Sequence, residues 1–193
     1  MKKVLIAALV PALIATAFSS FAADNAPKAV TVDGGQVNFA GSVVAAPCVV
    51  DNDTSSQTVT LGQVPTNRLK EKGNSGAAVD FKINLSGCDL TSTDVTDPTQ
   101  AANYTKARIT FIGDSTSATT LALANAGDAA KGVGIQIFQK NQAVNVDGAG
   151  STADTNLIDG TNSIPFSAAY VATGESVVAG SANAMVNFKV SYD

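Results

Sequence analysis

Period-two alternation of apolar and polar side chains runs through most of this chain, and it confines the fold to β-structure. Successive side chains of a strand point to opposite faces, so alternation marks one face for burial. Val79, Phe81, Ile83 and Leu85 alternate with Asp80, Lys82 and Asn84. Ile109 and Phe111 alternate with Arg108 and Thr110, and Val133, Ile135 and Ile137 with Gly134 and Gln136. Ile164, Phe166, Ala168 and Tyr170 alternate with Pro165, Ser167 and Ala169, and Val59 and Leu61 flank Thr60 in a shorter segment. Turn-rich stretches separate these runs: the polar and small residues from Thr91 to Thr105, Asn125-Ala126-Gly127-Asp128, Asp147-Gly148 and Asp159-Gly160-Thr161-Asn162. Pro65 to Gly73 has room for one short helical turn, and no long helical stripe follows residue 22. Short strands at fairly regular spacing predict an all-β antiparallel sandwich of immunoglobulin-like type; a jelly roll would show similar spacing. With neither an internal repeat nor a linker, a single domain is expected.

The front of the chain is patterned differently. Met1, Lys2 and Lys3 give a positive start, Val4 to Phe18 is nearly all apolar, and Ser20-Phe21-Ala22 supplies small residues at the positions a signal peptidase reads. The expectation is a signal peptide over 1–22, with Ala23 as the alternative cleavage point. The apolar run is shorter than the roughly 20 residues of a membrane-spanning helix, and Pro11 interrupts it. Behind a secretion signal, Cys48 and Cys88, the only cysteines, read as one disulfide. It would close a loop of about 40 residues and stabilise the fold by roughly 4 kcal/mol.

Charge and residue types narrow the function. Taking Lys2 and Lys3 from 12 basic residues leaves 10 against 16 acidic, a formal charge of −6. No basic patch is visible for nucleic acid. The chain has no histidine, so Ser-His-Asp and Cys-His catalysis are unavailable, and two thiolates alone make a poor zinc site. The aspartates are scattered singly, mostly beside Gly, Ser or Thr, and read as turn residues rather than as a glycosidase pair. Gly132-Val133-Gly134 is a fragment of a phosphate-loop pattern inside a strand-like run, and Asn103-Tyr104-Thr105 is only a formal glycosylation sequon. The reading is a protein that is not an enzyme, with no cofactor, no metal and no small-molecule substrate.

Both ends carry strands of unusual placement. Val30 and Val32 alternate with Thr31 and Asp33 ahead of Gly34-Gly35, and Val37, Phe39, Gly41 and Val43 continue as another alternating strand. The first piece reads either as a hairpin arm turning at the two glycines or as a spare strand ahead of the domain. At the other end Ala184, Val186, Phe188, Val190 and Tyr192 alternate with Met185, Asn187, Lys189 and Ser191 up to Asp193. A regular apolar strand at a sheet edge is an aggregation hazard unless something pairs with it.

Several segments together resemble the chaperone–usher pilins of the type 1 fimbrial kind. They are Gly35 to Val44 followed by Pro47-Cys48, Leu61-Gly62-Gln63-Val64, Gly160 to Phe166, Tyr170 to Gly174, and Ala182 to Asp193 with its penultimate tyrosine. The resemblance covers the whole mature chain. It implies an incomplete immunoglobulin-like β-sandwich that lacks its last strand and is completed by a donor strand from a neighbouring subunit, a form of β-augmentation. By position it implies a donor-strand extension over 23–35 and a pilin domain over 36–193. Val30, Val32 and Gly34 would be the donor residues, and Gly34 would be the small residue where a side chain would collide with the groove. Val186, Phe188, Val190 and Tyr192 would form the acceptor strand, Gly180 the glycine ahead of it, and Asp193 the carboxylate that a chaperone anchors. Cys48 and Cys88 would staple the first two strands. The partners implied are other copies of the chain, a periplasmic chaperone and an outer-membrane usher, with export through the periplasm to an extracellular fimbrium that supports adhesion. A minor adaptor or adhesin subunit, and a self-complete secreted β-sandwich, are the rival readings.

Overall fold

A computed structural model of the chain describes residues 28–91, 104–124 and 127–193. The expected signal and its cleavage point, most of the polar stretch after Thr91, and Asn125-Ala126 lie outside the described residues. These carry the strands β1 Val49–Val50, β2 Val79–Cys88, β3 Lys106–Gly113, β4 Ser115–Ser117, β5 Thr120–Leu121, β6 Val133–Gln139, β7 Gln142–Ala143, β8 Thr155–Asn156, β9 Gly160–Ala172 and β10 Val186–Tyr192. A four-residue helix, Asn52–Ser55, and a 3-10 turn, Thr66–Arg68, complete them. Among the described residues no helix is long and apolar enough to cross a membrane.

The strands form two sheets. The larger has the order β1-β2-β9-β6-β5-β4, with β7 attached to β6; the smaller has the order β10-β3-β8. Every ladder is antiparallel. The long alternating runs appear as the sequence predicts, because their apolar members meet across the sheets. Ile83 and Leu85 of β2, Ile135 and Ile137 of β6, and Ile164 and Phe166 of β9 are buried with Ala107, Ile109 and Phe111 of β3. Phe111 meets Phe166 edge-on at 5.3 Å between ring centres, and Phe81 stacks on Phe166 at 5.6 Å. Each buried side chain of this size contributes about 1.5–3 kcal/mol.

Two expected strands do not form. Among the described residues Val59 to Leu61 joins no ladder; the Gln57 amide donates to the Lys82 carbonyl of β2, and the segment ends at Gly62, whose φ is +70°. A side chain there takes the place of a backbone ladder. Val37 to Val43 is also unpaired, and no ladder among the described residues includes a residue before Val49. Alternation selects a face for burial but supplies no partner strand, and here none is paired. The hairpin at Gly34-Gly35 is likewise not formed. The compact unit that holds the sheets spans Ser42–Asp193.

Cys48 and Cys88 are joined by a disulfide, between the start of β1 and the end of β2. Val49 pairs with Ser86 and Val50 with Leu85, so the bridge secures the first two strands at one end of the larger sheet.

Candidate functional site

β10 pairs with β3 along its whole length, from Val186 opposite Gly113 to Tyr192 opposite Ala107. Among the described residues nothing pairs with its other side. Asp193 and Lys106 exchange both backbone hydrogen bonds at 3.0 Å. In an antiparallel ladder such pairs recur at every second residue. The backbone groups of Asn187, Lys189 and Ser191 therefore face β3, while those of Phe188, Val190 and Tyr192 face the free edge.

The side chains along this edge are apolar yet incompletely covered. Val186, Phe188, Val190 and Tyr192 pack against the core but stay half-buried, whereas Ala107, Ile109 and Phe111, one strand further in, are 0–1 % exposed. Phe188 lies 6.4 Å from Phe111, ring centre to ring centre. On the larger sheet Val50 and Phe81 are also half-buried at the margin of the same core. The apolar interior thus opens along one margin of the sandwich.

The disulfide end of this margin is bridged. The Tyr192 hydroxyl donates to the Cys48 carbonyl at 3.3 Å, and Tyr104 packs edge-on against the Tyr192 ring at 6.4 Å. Burial pushes the Tyr192 hydroxyl above its ordinary pKa, which keeps the donating form. Beyond it, the Asp193 carbonyl accepts from the N–H groups of Thr105 at 2.7 Å and Lys106 at 3.0 Å. The Asp193 side chain forms an ion pair with Arg108.

Gly180 lies outside β10, and the structure explains it locally. A Cβ there would stand 2.3 Å from the Asp128 carbonyl oxygen and 2.5 Å from the Ala130 nitrogen. The loop before β10 crosses the 128–130 backbone at that point, with a parallel bridge between Ala129 and Ser181. Gly34 differs: nothing lies within 4 Å of the position of its Cβ. Val30 and Val32 are 82 % and 79 % exposed, and Phe39 is 93 % exposed.

Sequence reasoning missed Val50 and Phe81 at the margin, Tyr104 beside Tyr192, and the ion pair on Asp193. Only Phe81 carried a signal, as a member of an alternating run. The others depend on strand register and on which sheet each strand joins. Among the described residues no cluster of His, Cys, Asp or Glu has the geometry of a metal site.

An all-β, immunoglobulin-like sandwich with an apolar interior open beside its last strand is the architecture of an incomplete, strand-accepting subunit. The fimbrial protein family pattern matches residues 37–193, and the chain belongs to that family. It is 43 % identical over 185 residues to the type-1 fimbrial protein A chain of Escherichia coli, covering 93 % of this chain and 94 % of that one. It is 40 % identical over 185 residues to the type 1 fimbrial subunit of Klebsiella pneumoniae, covering 93 % and 95 %. A solved chaperone–usher pilus structure, concerned with rod uncoiling, matches with a TM-score of 0.67 at 27 % identity, covering 86 % of this chain and 100 % of that one. The P pilus rod subunit PapA shares the fold at 24 % identity, with a TM-score of 0.62 over 77 % of this chain and all of that one.

Proposed function

We propose that this chain is a structural pilus subunit that polymerises by donor-strand exchange: the leading segment of one copy is added to the free edge of β10 in the next. The observation that carries this reading is the half-buried row Val186, Phe188, Val190 and Tyr192 beside an unpaired edge. An added strand would satisfy the free backbone groups of Phe188, Val190 and Tyr192 and cover the row in one step. In this reading Val30, Val32 and Gly34 are donor residues. The alternation that fails to form a strand within the chain extends the donor to Val37 and Phe39. Val30 and Val32 have one parity and Val37 and Phe39 the other. Gly35 has a positive φ of +107°, which a glycine at a β-bulge can adopt. One bulge there, formed on insertion, would place all four side chains on one face. Gly34, which no described residue of its own chain requires to be small, would be demanded by the neighbour's groove.

The same edge needs cover before assembly, and a periplasmic chaperone lending a strand would supply it. Its anchor would be the terminal carboxylate of Asp193, and an outer-membrane usher would exchange that strand for the next subunit's. The product is an extracellular fimbrium that supports adhesion, reached through the periplasm, with no catalytic chemistry required of this chain. Once inserted, the donor completes a core, so its release requires partial unfolding and the polymer persists kinetically. Deleting Ala29 to Gly34 tests the reading. The variant is expected to bind the chaperone as wild type does and to form no fibres; normal fibres would contradict strand exchange.

A further inference from the structure

We infer that Asp154 is a positioning residue for the acceptor strand: through Arg108 it holds Asp193, the residue directly after β10, against β3, so the free edge is presented along its full length. The inference rests on the strand-addition reading above. Final residues of a domain usually fray, yet here the ladder runs through Asp193. A line of charges crosses the smaller sheet at that end. Asp154, just before β8, accepts from the Lys106 ammonium at 3.0 Å through one carboxylate oxygen and from Arg108 Nε at 2.7 Å through the other. The Nη2 amino group of the same guanidinium pairs with the Asp193 carboxylate.

Register explains why Arg108 needs this help. Arg108 lies opposite Ser191, so Asp193 is its diagonal neighbour, within reach only of a long side chain held in the right rotamer. A guanidinium is a rigid planar fork, and fixing one of its nitrogens aims the others. Asp154 fixes Nε and leaves Nη2 directed at Asp193. Lys106, whose backbone forms the terminal ladder pair with Asp193, is tied by its side chain to the same carboxylate. All four side chains are part-exposed, so each pair alone contributes little. Their common effect is on local opening of the strand end rather than on global stability.

Hydrogen–deuterium exchange of the full mature chain reads the clamp with no partner present. In Asp154→Asn the β3-facing amides of Ser191 and Asp193 are expected to exchange on the order of three- to tenfold faster, with β2 and β9 amides unchanged. Arg108→Lys, which keeps the charge and loses the fork, is expected to do the same. Unchanged exchange at Ser191 and Asp193 in both variants would overturn the clamp. Capture of a synthetic peptide of residues 28–41 then tests its use: several-fold slower capture by Asp154→Asn is expected, and equal rates would overturn the positioning role. If the peptide fails to bind the wild-type chain, the strand-addition reading falls, and the exchange data show separately whether the clamp exists.

Discussion

Gly180 and Gly34 show how one residue type can answer to two different constraints. At Gly180 the backbone of residues 128–130 occupies the space of a side chain. Backbone cannot swing aside as a side-chain tip can, so Gly180→Ala must displace the loop that leads into β10. The expected loss is about 1–3 kcal/mol, measured as a lower denaturant midpoint with unchanged slope. Gly34→Ala meets no atom within 4 Å among the described residues and should leave that midpoint where it was, so any assembly defect would arise between copies. Tyr192 gives a test in pH. Its folded pKa is raised by burial, so the stability it adds is complete below the ordinary tyrosine value of about 10 and is lost as pH rises through the folded value. Tyr192→Phe removes the bond to Cys48, costing roughly 0.5–1.5 kcal/mol at pH 7. The variant should also lose less stability than wild type on titration above about pH 10. Tyr170, raised by burial as well and bonded to the Ala182 carbonyl, stays in both proteins, so part of the alkaline loss remains.

At the scale of elements, β3 and β10 carry the same alternation and differ in cover. Phe111 on β3 is 1 % exposed, so Phe111→Ala should cost about 3–5 kcal/mol whether or not a donor is bound. Phe188 on β10 packs against it yet remains half-buried. Phe188→Ala should cost about half as much in the free subunit and approach the full value once a donor peptide covers the edge. Chemical unfolding of both variants with and without peptide measures the difference; equal costs for Phe188 in the two states would argue that nothing seats there. The contrast also marks what the sequence discloses. β2, β3, β6, β9 and β10 were legible because each is at least seven residues long and carries an alternating apolar face. β4, β5, β7 and β8 are two or three residues long, too short for a period of two to register. Val37 to Val43 alternates without forming a strand in this chain, since the pattern specifies a buried face and not whose core will bury it. The disulfide was legible from cysteine count and compartment. The Arg108–Asp154 pair was not: its partners are 46 residues apart, and only the β3–β10 register brings Asp193 to them.

For the whole molecule, stability is divided between the chain and its neighbour. Within the chain the disulfide closes a 40-residue separation, and Cys48→Ser should remove about 2–5 kcal/mol, read as lower subunit yield and an earlier denaturant midpoint. A bridge of this kind restrains the unfolded chain but cannot cover the open margin beside β10. That cover has to come from a bound strand, which makes the melting temperature depend on strand concentration. A peptide of residues 28–41 at a hundredfold excess over its dissociation constant should add about 2.7 kcal/mol. For a domain of this size that corresponds to a rise of roughly 5–10 °C. The rise should grow with the logarithm of peptide concentration and shrink when Val32 and Phe39 of the peptide are both replaced by Asp, because each buried anchor contributes about 1.5–3 kcal/mol. Calorimetry across a concentration series measures both trends. A melting temperature that does not respond to the peptide would mean that the sandwich is complete without a neighbour.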